Sequence, residues 1–183
     1  MLKFARTVGG VGRKLELVDL GVSQTYELGD VIKTYSNGVG DLGAAATPVL
    51  GVIVAFVSGV RGEVMKSAEV VAGTAASSDY TTVTSDGTNS DDYRAIVDVS
   101  KDTVYSAEVS GTLGTTNDSD LIGCRIDINS TGSEYGQVLE TTATRTVATT
   151  ANFYSWGLDP NDSDRLMVSI ASSETQSDAN TEA

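Results

Sequence analysis

Histidine is absent from the chain of 183 residues, and cysteine and tryptophan each occur once. Without histidine the chain lacks the commonest general base, the usual transition-metal ligand and the side chain that titrates near neutral pH. The single cysteine, Cys124, cannot form an internal disulfide or a cysteine-based zinc site. The sequence therefore excludes histidine-dependent catalysis and a disulfide framework.

Basic residues are also few. The chain has 12 Lys and Arg against 25 Asp and Glu, which gives a formal net charge of −13. A surface of this sign repels phosphate backbones, so we expect no direct binding of nucleic acid by the body of the fold. Apolar residues make up 40% of the chain and charged residues 20%, a composition that suits one domain with a packed core.

Long apolar segments are missing as well. The longest apolar run, Val49–Val57, is shorter than the ~20 residues that a membrane-spanning helix needs, and it is typical of a buried strand. The N-terminal residues contain no apolar stretch of secretory length. We therefore expect synthesis in a cytoplasm and no membrane association, and release by lysis would leave no mark on the sequence.

The pattern along the chain predicts an all-β fold. β-Branched residues favour strands, and no segment keeps the apolar spacing of an amphipathic helix. Short apolar runs alternate with clusters of Gly, Asn, Asp and Ser, which is typical of a small antiparallel β-barrel or β-sandwich. The predicted strands are Lys14–Leu20, Thr25–Leu28, Val31–Tyr35, Val49–Ser58, Glu63–Val71, Tyr80–Thr84, Tyr93–Val99, Thr103–Val109, Leu121–Ile128, Gln137–Val147, Phe153–Leu158 and Arg165–Ile170.

Two further local predictions concern how these strands connect. Asn37-Gly38 and Asp86-Gly87 are dipeptides typical of hairpin turns. We also expect the strands Thr103–Val109 and Leu121–Ile128 to pair with each other across the polar loop between them.

The two ends of the chain differ from the middle. Residues 1–25 are predicted to form an extended basic arm and a first strand, residues 26–170 the β-barrel or sandwich, and residues 171–183 an extended polar tail. Residues 1–14 contain several glycines and no acidic residue, so we expect a flexible arm rather than a strand. Its cationic side chains are Lys3, Arg6, Arg13 and Lys14. The tail has no large apolar side chain, and we expect it to become ordered only against another chain.

Three loops concentrate Asp and Asn: residues 86–92, 117–120 and 159–164. Hard cations such as calcium need several carboxylate or amide oxygens that converge. None of the loops has the spacing of the twelve-residue calcium loop, and capping of turns is the simpler interpretation. No metal site is predicted, although Asp159–Asp164 stays open as the strongest candidate of the three.

Candidate catalytic groups have simpler structural explanations. Cys124 lies in an alternating segment, where we expect it to face the core as a small hydrophobic residue while Arg125 faces outward. The adjacent carboxylates Asp91 and Asp92 are of the type that a glycosidase uses, but they lie in a polar loop without aromatic residues. Val8–Gly12 is rich in glycine but lacks the context of a phosphate loop. We predict that the protein is not an enzyme and needs no cofactor.

Four segments are informative when taken together: YELGDVIKTYSNG (Tyr26–Gly38), PVLGVIVAFVSG (Pro48–Gly59), VYSAEVSGTLGTTNDSDLIGCRIDI (Val104–Ile128) and LDPNDSDRLMVSI (Leu158–Ile170). Together they resemble the capsid decoration proteins of tailed bacteriophages. The resemblance covers residues 26–170, and the arm and the tail lie outside it. It implies a small β-barrel or β-sandwich that binds the outside of the capsid, often as a trimer at local three-fold axes. Such proteins carry no catalytic residues, so none are transferred to this chain.

The resemblance implies that the protein cements neighbouring major capsid subunits on the surface of the virion and associates with its own copies. The cations Lys3, Arg6, Arg13 and Lys14 would then contact acidic capsid loops. One alternative is another virion component, such as a β-sandwich of the head fibre, tail or baseplate. A carbohydrate-binding module is a further alternative, but it would need a signal peptide and a flat aromatic cluster.

Overall fold

The computed structural model describes residues 2–8, 12–21, 25–34, 40–43, 47–58, 82–84, 93–110, 121–128, 137–139 and 151–171. These residues form thirteen strands in three sheets. The strands are β1 (Lys3–Thr7), β2 (Leu15–Asp19), β3 (Thr25–Glu27), β4 (Val31–Thr34), β5 (Gly40–Leu42), β6 (Gly51–Ser58), β7 (Thr82–Thr84), β8 (Tyr93–Asp98), β9 (Thr103–Ser110), β10 (Arg125–Ile126), β11 (Gln137–Leu139), β12 (Phe153–Asp159) and β13 (Asp162–Ile170).

Sheet A has the strand order β1-β9-β13-β12-β10, with antiparallel pairing throughout this path. The short strand β11 pairs in parallel with the end of β9. Strands β12 and β13 form a hairpin in which Asp159 is opposite Asp162, so that Pro160 and Asn161 make the turn. The Asp159 carboxylate accepts a hydrogen bond of 2.9 Å from the Asn161 backbone N–H, and proline presets the turn conformation.

Sheet B has the antiparallel order β2-β8-β6-β4-β5, and β3 and β7 form the two-stranded sheet C. Strands β4 and β6 of sheet B are buried on both faces, because neighbouring residues of these strands belong to different cores. Val31 and Val52 lie in the first core, whereas the adjacent Ile32 and Ile53 lie in the second. Successive side chains of a strand point to opposite faces, so the two cores lie on opposite sides of sheet B.

The first core fills the space between sheets A and B. Sheet A contributes alternate residues of its central strands, among them Tyr105, Phe153 and Leu166, and each of these three is at most 1% exposed. The second core lies against the other face of sheet B and includes Tyr26 of sheet C. The hydroxyl of Tyr26 lies 3.2 Å from the Gly40 carbonyl oxygen, so the buried ring keeps a hydrogen bond.

The predicted all-β fold class is confirmed, and the arrangement is that of a β-sandwich rather than a closed barrel. The edges of sheet B approach each other, because Leu20 forms a parallel bridge with Gly40 of β5. One bridge without a continuous ladder does not close a barrel. No helix in the described part of the chain has the length and apolar character of a membrane span.

Most predicted strands that fall on described residues are present, with ends that differ by a few residues. The predicted strand Glu63–Val71, most of Gln137–Val147 and both hairpin dipeptides lie outside the described residues. The short strand β5 was not predicted, because three residues beginning with glycine carry no periodic signal.

The prediction of a flexible arm rather than a strand is wrong for Lys3–Thr7. This segment is β1, which pairs with β9, and the preceding Leu2 is buried in the first core at 4% exposure. Its sequence has no apolar alternation, since Lys3, Phe4, Ala5 and Arg6 are all exposed. The strand therefore depends on pairing with the free edge of β9 and on the anchor at Leu2.

The predicted pairing of Thr103–Val109 with Leu121–Ile128 is also wrong. Only Arg125–Ile126 of the second segment is a strand, and it pairs with β12. Residues 121–123 form a turn in which Gly123 has φ 81°, a left-handed conformation that favours glycine. The neighbours of β9 are instead β1, β11 and β13.

Candidate functional site

The outer face of sheet A, which points away from sheet B, carries the candidate site. In β13 the core residues Leu166 and Val168 alternate with Arg165, Met167 and Ser169, which therefore point to the outer face. Ser106 of β9 is opposite Met167, and Lys3 of β1 is opposite Ser106. Residues opposite one another in a sheet share a face, so three strands place these side chains together.

A groove of about 580 Å³ lies on this face and is bounded by β1, β9, β13 and the end of β12. We name it the sheet A groove. Its lining residues include Lys3, Phe4, Arg6, Ser106, Trp156, Asp159 and Arg165. The β12-β13 turn forms one end of it, through Pro160 and Asn161.

A hydrogen-bond network holds Arg165 in place within the groove. Its Nε donates to the Ser106 hydroxyl at 2.8 Å, and its Nη2 donates to the Ser106 carbonyl oxygen at 2.7 Å. The Ser106 hydroxyl in turn donates to the Asp159 carboxylate, and this bond, followed by that from the Asn161 backbone N–H, lowers the pKa of Asp159 below its usual value. Asp159 is therefore ionised at neutral pH, and the guanidinium is preorganised rather than free to rotate.

Lys3 and Arg6 supply two further positive charges on the side of the groove formed by β1. Both side chains are exposed, and within the described ranges no carboxylate forms an ion pair with either of them. Glu108, opposite Arg165 on β9, and Asp159 carry the neighbouring negative charge. Three cations, Lys3, Arg6 and Arg165, and one carboxylate, Asp159, therefore line the groove in a chain whose net charge is −13.

An exposed aromatic pair adjoins the groove. Tyr154 and Trp156 lie two residues apart on β12 and are 37% and 39% exposed. Their ring centroids are 5.6 Å apart with an interplanar angle of 75°, an edge-to-face contact. The Trp156 Nε1–H donates to the Ser169 hydroxyl at 2.9 Å, which fixes the orientation of the indole.

A β-bulge positions this tryptophan. Ser155 is opposite Val168 and Gly157 is opposite Met167, so β12 has one residue more than β13 at Trp156. Gly157 has φ 103°, which L side chains rarely adopt, and this allows the strand to take up the extra residue. The indole consequently lies at the rim of the groove.

The four predicted contact residues divide into two groups. Lys3 and Arg6 line the groove, whereas Arg13 and Lys14 are not among its lining residues and form intramolecular ion pairs. Arg13 Nε is 2.7 Å from the Asp98 carboxylate, and its guanidinium carbon lies 4.6 Å from the centroid of the Phe4 ring. Lys14 Nζ is 2.9 Å from the Glu16 carboxylate on the surface.

Sequence reasoning missed Ser106, Arg165 and the special position of Trp156. The only local signal was the segment Phe153–Leu158, where aromatic residues at positions 154 and 156 fall on the face opposite the buried Phe153 and Ser155. An exposed Tyr and Trp on one face of a strand are a reason to suspect an interface. Nothing local to Arg165 or Ser106 indicates that they meet.

The other candidates from the sequence have structural roles or lie outside the described residues. Asp159 and Asp162 accept hydrogen bonds from backbone amides two residues further along, as capping side chains do. No group of three metal-ligating side chains converges in the part of the chain that the structure describes. Loops 86–92 and 117–120 lie outside it. Cys124 is buried in the first core, as predicted.

The groove combines a hydrogen-bonded guanidinium, two exposed cations and an exposed indole. Such groups suit contact with an anionic surface that also offers an apolar contact. Comparisons with protein-family models, curated proteins and solved structures found no match to this chain.

Proposed function

We propose that this protein is a virion structural protein that binds the outside of a phage capsid and cements neighbouring major capsid subunits. The observation that carries the proposal is the sheet A groove, which places Lys3, Arg6 and Arg165 beside Trp156 on an otherwise acidic chain. Acidic loops of the capsid are the partner that this chemistry would select. The resemblance of residues 26–170 to capsid decoration proteins supports the same choice of partner.

The mechanism is mechanical and electrostatic. Arg and Trp are the residue types that most often dominate binding energy at an interface, because they combine buried area with directed hydrogen bonds. A protein with net charge −13 is repelled by most acidic surfaces, so attachment requires an orientation in which the groove faces the capsid. Each copy contributes a modest contact, and association among copies on the shell adds avidity without new chemistry.

The test is decoration of shells of the cognate major capsid protein, measured by co-sedimentation at physiological salt. The double variant K3Q/R6Q removes two charges from the groove, and K14E changes the net charge by the same amount outside it. We expect K3Q/R6Q to weaken binding about tenfold, which corresponds to about 1.4 kcal/mol. We expect K14E to bind within about twofold of wild type, because rim charges away from a contact contribute little.

Two results would overturn the proposal in different ways. Equal decoration by K3Q/R6Q and wild type would show that the groove is not the contact surface. Failure of the wild-type protein to bind any form of the shell would exclude capsid decoration itself.

The main alternative is a component of the head fibre, tail or baseplate, which the same β-sandwich would also suit. Counting copies per particle separates the two, because a decoration protein is present at a large, fixed ratio to the major capsid protein. A carbohydrate-binding module is favoured only by the exposure of Tyr154 and Trp156, and their 75° interplanar angle does not form a flat platform. Binding to a glycan array would support that alternative.

A further inference from the structure

We propose that a buried water molecule binds at the junction of sheets A and B and joins the side chains of Arg13, Thr103 and Tyr105. In the part of the chain that the structure describes, three buried side-chain atoms have no hydrogen-bond partner within the protein: Arg13 Nη2, Thr103 Oγ1 and Tyr105 Oη. Buried polar atoms are almost always paired with protein groups or with ordered water, because an unpaired one keeps its full desolvation cost. Three such atoms at one place point to a shared ligand.

The site lies where the chain passes from β8 of sheet B into β9 of sheet A. Asp98, the last residue of β8, is opposite Val52 of the first core, so its side chain points toward sheet A. Tyr105 of β9 belongs to the same core. Thr103 begins β9 and lies two residues before Tyr105, so the two side chains share a face. Asp98, Thr103 and Tyr105 therefore approach one another between the sheets.

Hydrogen bonds hold the groups around the site in place. Arg13 Nε donates to one oxygen of the Asp98 carboxylate at 2.7 Å, and the Ser100 backbone N–H donates to the other at 3.0 Å. The Thr103 backbone N–H donates to the Ser100 carbonyl oxygen at 3.4 Å. Arg13 Nη2 is on the same rigid guanidinium as the bonded Nε, so it also lies beside the carboxylate.

The hydroxyl of Tyr105 reaches the same cluster. Burial raises the pKa of this hydroxyl and the Asp98 carboxylate raises it further, whereas Arg13 and the Thr103 hydroxyl lower it. Effects of this kind act between neighbouring groups, so the four side chains adjoin. Tyr105 is 1% exposed and Thr103 is 0% exposed, so bulk solvent does not pair with the two hydroxyls. A single bound molecule is enough to do so.

Water is the ligand that this chemistry selects. A guanidinium only donates hydrogen bonds, whereas a hydroxyl donates or accepts. A water molecule can accept from Arg13 Nη2 and from the Tyr105 hydroxyl and donate to the Thr103 hydroxyl, which gives the three partners typical of buried waters. An anion such as chloride would lie beside the Asp98 carboxylate, whose charge is already balanced by Arg13, and burying that extra charge is costly.

The bound water extends the attachment of the N-terminal region to the sandwich. Arg13 reaches sheet B directly through Asp98, and through the water it reaches Thr103 and Tyr105 of sheet A. Its guanidinium carbon also lies 4.6 Å from the centroid of the Phe4 ring on β1. One side chain thus connects both sheets by hydrogen bonds as well as by its contact with β1.

The sign of a stability change tests the proposal. Removing a hydroxyl that is buried without a partner stabilises a protein, whereas removing a ligand of a bound water destabilises it. We expect Y105F and T103V each to reduce the equilibrium constant for folding about fivefold in urea denaturation. The double variant Y105F/T103V should lose less than the product of the two, because both hydroxyls bind one water. The control Y154F removes a hydroxyl from a side chain that is 37% exposed, and it should change the constant less than about twofold.

A high-resolution crystal structure of the full chain shows the ligand directly. We expect a peak of density within hydrogen-bond distance of Arg13 Nη2, Thr103 Oγ1 and Tyr105 Oη, and no anomalous signal there after a bromide soak. Stability of Y105F equal to or above that of wild type would overturn the proposal, as would direct hydrogen bonds among the three atoms with no density between them. A bromide peak at the site would overturn the assignment to water and identify an anion site. These measurements involve no capsid, so their outcome is independent of the proposed function.

Discussion

Arg13 and Asp98 form an ion pair of 2.7 Å that ties the segment before β2 to the end of β8. The Asp98 side chain is fully buried and the Arg13 side chain is 27% exposed. Burial alone would raise the pKa of Asp98, but hydrogen bonds from the Ser100 backbone N–H and from Arg13 outweigh it and hold the pKa below its usual value. The part of the N-terminal region predicted as a flexible arm is therefore attached to the sandwich at this point as well as through β1.

Removing the arginine from this pair leaves a buried carboxylate without its partner. We expect R13Q to lower the free energy of unfolding by about 2–4 kcal/mol, measured by urea denaturation at pH 7. The matched control is K14Q, which breaks the exposed pair with Glu16 and should cost less than about 0.5 kcal/mol. The stability that ionised Asp98 contributes is present above pH 3.8 and is lost as the pH falls through its lower folded-state pKa. Similar stabilities for R13Q and K14Q would contradict this interpretation.

Asp30 should make the protein less stable as the pH rises. Burial, the largest cause, raises its pKa from 3.8 to about 7, so between these values the folded state holds a proton that the unfolded state has lost. The free energy of unfolding should therefore decrease across this range by about 2–4 kcal/mol from this group. Urea denaturation at pH 4.5 and pH 7.5 measures the change.

The variant D30N tests this assignment, because its side chain stays neutral and can still accept the hydrogen bond from the Glu27 backbone N–H. We expect D30N to remove most of the decrease and to be more stable than wild type at pH 7.5. The control D102N removes a charge from an exposed turn and should keep the wild-type pH dependence. An unchanged pH dependence in D30N would refute the role of Asp30.

Gly51 allows β6 to approach β8. A Cβ atom at this position would overlap the carbonyl oxygen of Asp98 and lie 2.7 Å from a methyl carbon of Val97. Both neighbours belong to a packed strand, so we expect G51A to lose about 2–3 kcal/mol of stability. The control G12A adds a methyl group where no atom lies within 4 Å, and it should change stability by less than about 0.5 kcal/mol. Thermal unfolding of the two variants decides the comparison.

Trp156 should matter for binding more than for folding. Its indole is 39% exposed at the rim of the sheet A groove, so W156A should cost about 1 kcal/mol of stability or less. We expect the same variant to weaken shell binding about tenfold or more, as loss of an aromatic anchor does. The control L17A removes a side chain that is 51% exposed on β2 of sheet B and should bind like wild type. Equal binding by W156A and L17A would argue against an anchoring role for the tryptophan.

Period-two patterns predicted the central strands well. The run Val49–Val57 was expected to form a buried strand, and residues 51–57 of it lie in β6, where Val52 and Ile53 point into different cores. Such a run has apolar residues on both faces, which is why the simple expectation of burial held. The edge strand β1 gave no such signal, because pairing with β9 rather than burial of a face decides its conformation.

The sequence by itself determined the all-β class, the inward position of Cys124 and the absence of histidine chemistry, because these follow from residue type and local alternation. Only the tertiary structure decided that Lys3, Ser106, Trp156 and Arg165 meet in one groove. Those residues lie on four strands from three distant parts of the chain, and the register between strands is set by packing across the whole sheet. The same long-range pairing separated Lys3 and Arg6, which line the groove, from Arg13, which pairs with the buried Asp98, and from Lys14, which pairs with Glu16 on the surface.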